Sequence, residues 1–207
     1  MYLLAFVGAC VLVAMAPGVS TAIILRQTLR AGRGSGMAAT LGNETGILLW
    51  GLAAAFGLSA LLVASQLAYD VMRVAGAVVL VVMGAQALWQ ARKGGPATGL
   101  EAEGTAVPGR RAPYLAGLGT CLANPKAAVF AMSFLPQFVA PGQNVPVTLA
   151  TLAVVWVLVD LAWYALLIWT VAKAKAVLGR PAVRRRLEQI SGVVLIGLGV
   201  RLAVESR

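Results

Sequence analysis

The chain has 207 residues, a formal net charge of +10, 60% apolar and only 12% charged residues, and no histidine; its mean hydropathy is +0.86. Soluble globular chains are about 45–50% apolar and about 25% charged, so this composition excludes a soluble domain and fits about six helical spans of ~20 residues. The basic excess follows loop position and does not point to nucleic acid, and two cysteines, Cys10 and Cys121, exclude a disulfide framework.

Residues Met1 to Leu25 carry no charge, so the basic region that opens a cleaved signal is missing and the run reads as a retained helix. Span 1 is predicted over Tyr2–Leu25, interrupted at Pro17-Gly18, and is followed by Arg26, Arg30 and Arg33 among glycines. Span 2 is predicted over Gly36–Val63 with Glu44 as its only charge, then a turn over Ser65–Asp70, then span 3 over Met72–Trp89, closed by Arg92-Lys93. Residues 94–113 are rich in Gly, Pro, Ala and Thr and read as a flexible linker.

Span 4 is predicted over Tyr114–Val139 and contains Asn124-Pro125-Lys126, with a proline-rich turn over Pro136–Pro146. Span 5 is predicted over Val147–Val171 around Asp160, followed by Lys173, Lys175, Arg180 and Arg184-Arg185-Arg186. Span 6, Glu188–Val204, is the shortest in apolar length and relies on arginines reaching the interfaces. Thirteen of the 17 basic residues fall in the loops after spans 1, 3 and 5, which predicts those loops to be cytoplasmic and both termini outside. If span 6 does not cross, the C-terminus lies inside.

The expected fold is therefore all-α and integral to the membrane: one transmembrane domain, 1–207, of six helices. Residues 1–93 and 114–207 form two three-helix repeats joined by the linker 94–113. An odd number of spans per half makes the halves enter the membrane in opposite directions. That is the geometry of inverted-repeat transporters, whose sites lie near the midplane. The repeated pattern is a proline-broken first helix, a carboxylate in the second and glycines in the third (Gly76 and Gly84; Gly192 and Gly197).

Glu44, Lys126 and Asp160 stand near the middle of apolar stretches. An ionised side chain at that depth costs roughly 2.5–3.5 kcal/mol, and such residues mark substrate or proton paths. Pro17 lies nine residues before Arg26, about 13 Å along a helix, and Pro125 lies eleven after Tyr114, about 17 Å, so both breaks fall near mid-bilayer. A proline removes a backbone donor and frees carbonyls, and a restarting helix offers amides to an anion; the bland reading is a packing kink. Gly18 and Asn124 belong to these breaks. Glu44 is flanked by Asn43 and framed by Gly42 and Gly46, a pair that lets another helix approach closely. Its readings are a proton carrier, a ligand for a substrate ammonium, or a structural bridge to Lys126. Trp156 and Tyr164 stand at i−4 and i+4 from Asp160, so the three share one face. That face suits a cationic amine, through charge and cation–π attraction, or packs against a neighbour. Lys126 fits a substrate carboxylate or a carboxylate side chain.

The arginine clusters read as topology signals contacting anionic lipid, and Trp50, Trp89 and Trp169 as interface anchors. Cys10 and Cys121 lie in equivalent spans, so an electron carrier working by thiol–disulfide exchange is an alternative; it needs their Cα atoms within about 7 Å. A metal-cation transporter is a third reading, poorly supplied with ligands in a chain without histidine.

Several motifs resemble the LysE/RhtB family of amino-acid exporters across essentially the whole chain. They are Pro17-Gly18, the basic glycine-rich turn (Arg26, Arg30, Gly32, Gly36), Leu41-Gly42-Asn43 through Gly57-Leu58, and Arg73 with Gly76 and Gly84. The most specific is Asn124-Pro125-Lys126 followed by Phe134-Leu135-Pro136-Gln137-Phe138. Val19 stands where members often have a second proline, and Arg73 where a lysine is frequent. The resemblance implies export of amino acids or close derivatives across the cytoplasmic membrane in exchange for protons, without a cofactor and without enzymatic activity. On this reading Pro17, Gly18, Asn124, Pro125 and Lys126 hold the substrate carboxylate. Glu44 and Asp160 hold its ammonium and take up the coupling proton, and Asn43, Trp156 and Tyr164 complete the substrate site. The glycine-rich spans leave a homodimer open.

Overall fold

A computed structural model of the chain describes residues 2–16, 18–64, 66–93, 109–140, 142–170 and 181–204. Pro17, the linker residues 94–108, and Lys173, Lys175 and Arg180 lie outside the described residues. The described residues form α1 (Tyr2–Met15), α2 (Val19–Ala31), α3 (Arg33–Ala64), α4 (Gln66–Lys93), α5 (Arg111–Leu122), α6 (Pro125–Val129), α7 (Val145–Trp169) and α8 (Pro181–Val204), with no strand among them. Between α6 and α7 the chain widens into a π-helical turn over Phe130–Phe134 and then tightens into a 3₁₀ turn over Leu135–Phe138.

The breaks fall where sequence chemistry puts them. α1 and α2 meet at 59°, and α5 meets the Pro125–Phe138 segment at 57°. Asn124 restarts the second pair: its side-chain oxygen accepts the Lys126 amide at 3.0 Å, with Pro125 at the first helical position. Asn144 starts α7 the same way, accepting the Val147 amide at 3.2 Å.

Several loops expected from charge are helix instead. Arg26 and Arg30 lie within α2, and Arg33 opens α3; the whole turn between them is Gly32, at φ 82°, whose amide closes on the Thr28 carbonyl at 3.0 Å. Only glycine reaches that φ without a steric penalty. Arg184-Arg185-Arg186, expected in a loop, lie in the first turns of α8, and Pro146 lies in the first turn of α7. Basic residues mark an end of the membrane-facing run, and helices continue past that end.

α3 is the central element, packed against α5 on one side and α7 on the other, with α2 folded back along it. At the α3–α5 crossing Gly42 meets the Tyr114 backbone, Gly117 meets the Ala39 backbone, and Gly46 meets the Cys121 side chain. α4 pairs mainly with α8, where Gly84 and Gly192 approach backbone to backbone. Water does not drive helices together in lipid, so close backbone packing at small residues carries the association. Gly197, named in the repeated glycine pattern, faces open space, and Gly199 meets Ala77.

An aromatic cluster fills the core beside the second break. Phe6, Phe130, Phe134, Phe138 and Trp156 contact one another with ring centroids 4.7–6.5 Å apart, each pair contributing about 0.5–1.5 kcal/mol beyond area burial. Among the described residues, Val145–Trp169 is long and apolar enough to cross a membrane alone, and each bent pair passes only when taken as one span.

Candidate functional site

The two proline breaks place two orphaned carbonyls in the core. In a continuous helix residue i donates to the carbonyl of i−4, and proline has no amide hydrogen. Pro17 therefore leaves the Val13 carbonyl, and Pro125 leaves the Cys121 carbonyl. In both cases the amide before the proline reaches that carbonyl: Ala16 is shared between Leu12 at 3.2 Å and Val13 at 3.3 Å, and Asn124 donates to Cys121 at 3.0 Å. In both cases a side chain from the other half of the sequence donates as well. Lys126 Nζ donates to the Val13 carbonyl at 3.2 Å and the Ala16 carbonyl at 3.4 Å. Trp50 Nε1 donates to the Cys121 carbonyl at 3.3 Å. Trp50 is thus a capping donor inside the fold, not the interface anchor expected of it. It shares a helix face with Asn43 and Ile47, which stand at i−7 and i−3 from it, a signal the sequence carried.

Lys126 pairs with no carboxylate among the described residues. Its ammonium sits at the C-terminal, partly negative end of α1, beside Gly18, where an added Cβ would be 3.6 Å from Nζ. Gly18 has no side chain to cap α2, so the first-turn amides of α2 lack a side-chain acceptor. Cation and helix start together favour an anion at this point.

A cavity of about 20 Å³ lies between these groups. That is room for about one water molecule, less than an amino acid needs. Of the residues singled out from sequence, Asn43, Asn124, Lys126, Trp156, Asp160 and Tyr164 line it, together with Ser20 and Cys121. Pro125 is exposed, and Gly18 lies beside Lys126 outside the lining. Glu44 is also outside the lining: Asn43 Nδ2 donates to its Oε1 at 3.2 Å. Adjacent helical residues diverge by about 100°, so one of the two faces the cavity and the other stands behind it.

Asp160 is only 5% exposed and Glu44 4%. Glu44 Oε2 and Asn43 Oδ1 are buried without a hydrogen-bond partner, and Asp160 Oδ1 and Trp156 Nε1, side by side on one face of α7, make no contact of full hydrogen-bond geometry. Such atoms are costly in a dry core, and beside a cavity with room for one water they are open to a water or to a polar group of a ligand. Trp156 packs against the Phe130 ring at 4.7 Å, so at least part of its aromatic surface belongs to packing.

Two polar residues escaped the sequence reading. Ser20 Oγ accepts from Asn124 Nδ2 at 3.4 Å, and Thr21 Oγ1 meets the Tyr164 hydroxyl at 3.4 Å. Both lie in the first turn of α2, immediately after the Pro17-Gly18 break, and that position was their available signal. Cys10 and Cys121 are buried free thiols within one apolar cluster. Among the described residues no group of three His, Cys, Asp or Glu side chains could hold a metal ion.

A family model described as LysE type translocator matches residues 11–206. The chain is 24% identical to the uncharacterised membrane protein YrhP of Bacillus subtilis, over 96% of this chain and 97% of that one. It is 31% identical to an uncharacterised membrane protein of Pseudomonas aeruginosa, over 96% and 93%. It is 28% identical to the threonine efflux protein of Escherichia coli K12, over 92% and 91%. No solved structure matches.

Proposed function

Because the chain belongs to the LysE type translocator family, we propose that it exports amino acids or close derivatives across the cytoplasmic membrane by antiport with protons. The observation that carries the reading is the placement of Lys126, uncapped α2 and buried Asp160 around one cavity where two broken helices meet. A zwitterion presents two opposite charges, and this site supplies a partner for each. The relative that exports threonine supports the same substrate class.

The substrate carboxylate binds Lys126 and the first-turn amides of α2, drawing the ammonium away from the Val13 and Ala16 carbonyls. The substrate ammonium binds Asp160 beside Tyr164. When the substrate leaves, Asp160 is a bare buried carboxylate, and a proton is the smallest group that neutralises it. Ammonium and proton thus compete for one carboxylate, which is the requirement for antiport. Glu44, reached through Asn43, is a second station for that proton.

The fold reading that goes with this function is six spans in two inverted repeats, with both termini outside and the linker 94–113 cytoplasmic. Its support is reciprocal. Each half places a carboxylate in its middle helix, and each sends one donor to the other half's proline-orphaned carbonyl. The packing of α3 on α7, α4 on α8, and α5 on α3 beside α1 on α7 maps onto itself when the halves are exchanged. The site is too small for substrate as it stands, so transport requires opening. The Ser20–Asn124 and Thr21–Tyr164 contacts, both at the long end of hydrogen bonding, are the first to part.

The test is efflux from cells loaded with a panel of amino acids, with and without a proton gradient. Gradient-dependent efflux of one class that is lost in Asp160→Asn is the expected result. Efflux unchanged in Asp160→Asn removes the charge-exchange mechanism, and no efflux of any amino acid removes the exporter reading.

A further inference from the structure

A second recess lies away from the transport site. A groove of about 410 Å³ opens between the starts of α3 and α5. Met37, Ala38, Leu41 and Tyr114 line it on the apolar side, and Arg110 and Arg111 stand on it as the charged residues. We propose that this groove binds an anionic phospholipid, its phosphate held by Arg110 and Arg111 and the upper part of one acyl chain lying along Met37, Leu41 and Tyr114.

The chemistry of the lining selects the occupant. A free anion uses the arginines and leaves the apolar surface in water; a neutral lipid uses the apolar surface and leaves two guanidinium groups unmatched. Only an amphipathic anion matches both parts. Guanidinium forks bind phosphate oxygens in pairs, which a lysine cannot do. An Arg110 Nη atom lies 4.0 Å from where a Cβ on Gly34 would stand, which places its charge over the start of α3. The starts of α3 and α5 each add the partial positive charge of a helix N-terminus. Leu41 is 49% exposed, as expected of a residue in contact with lipid chains. The groove ends where Gly42 meets the Tyr114 backbone, one residue from Asn43 of the transport site. A bound lipid therefore braces the helix crossing that positions that site.

The experiment uses the full chain purified in neutral detergent, with native mass spectrometry and thermal melting in the presence of phosphatidylglycerol, phosphatidylcholine or glycerol phosphate. Phosphatidylglycerol is expected to stay bound and to raise the melting temperature, and the other two are not. Removing the charges in Arg110→Gln/Arg111→Gln is expected to weaken retention about fivefold per arginine. Leu41→Trp, which fills the groove and keeps both charges, is expected to abolish it, and this variant decides the matter if the arginine variant does not fold. A control of equal charge, Arg185→Gln/Arg186→Gln on exposed positions of α8, is expected to change retention by less than about twofold. Equal loss in that control would mean diffuse attraction and overturn the site. So would glycerol phosphate binding as tightly as the lipid, no preference over phosphatidylcholine, or full retention in Leu41→Trp.

Discussion

The two proline breaks solve the same problem with different chemistry. Each proline leaves the carbonyl four residues earlier without its helical partner, and each carbonyl receives a donor from the opposite half. At the second break the donor is the neutral indole of Trp50, and Asn124 caps the restarting helix. At the first break the donor is the ammonium of Lys126, and Gly18 leaves the restarting helix uncapped. The second break is thus closed with neutral groups, whereas the first holds a cation and first-turn amides without a side-chain cap. A similar proline break in each half is therefore completed in two ways, by neutral donors in one and by an ammonium in the other.

Substitutions at the two breaks sharpen or undo this contrast. Lys126→Met removes the cation, takes its donor from the Ala16 carbonyl and leaves the Val13 carbonyl with the Ala16 amide alone. Losing one partner of a buried charged contact costs roughly 3 kcal/mol, so efflux is expected to fall about 100-fold or more. Asn124→Ala removes the α6 cap and the contact to Ser20. A lost cap costs about 1 kcal/mol, which is expected to lower the melting temperature by about 2–4 °C and slow efflux about fivefold. Trp50→Phe keeps the ring and removes one neutral bond. Interhelical hydrogen bonds in membranes average about 0.6 kcal/mol, so the expected loss of efflux is about threefold. If Trp50→Phe matched Lys126→Met in the efflux assay, the second break would be part of the binding chemistry and the contrast would fail.

Gly18→Ala is expected to have the smallest effect. Gly18 is at φ −157°, extended backbone open to any residue, and the new Cβ makes an ordinary 3.6 Å contact with Lys126 Nζ. Efflux is expected to stay within about twofold of the parent. A large loss in that assay would place the substrate carboxylate directly against the Gly18 backbone.

Much of the site was readable in the sequence because intramembrane charge is expensive wherever it stands. Lys126 and Asp160 stood out without knowledge of any neighbour, as did Trp156 and Tyr164 once helical spacing was applied. Glu44 stood out equally, yet Asn43 faces the cavity. Which of two adjacent residues turns inward depends on the rotation of α3 about its axis, and the Gly42 and Gly117 contacts with α5 set that rotation. Trp50 was misjudged as an anchor although it stands midway along the predicted span Gly36–Val63; the carbonyl waiting at Cys121 is visible only once α3 and α5 are packed.

Composition, apolar runs, proline positions and buried charges determined by themselves that this is a helical membrane protein with two breaks and an ionic centre. These follow from local rules: a proline cannot donate, and a charge cannot sit unpartnered in lipid. Tertiary structure alone decided that Lys126 rests on the carbonyls of α1, that Trp50 rests on the carbonyl of α5, and that Ser20 and Thr21 join the site. The physical reason is that a donor's partner is set by which helices cross and at what rotation. That crossing is fixed by small-residue contacts between segments far apart in the chain.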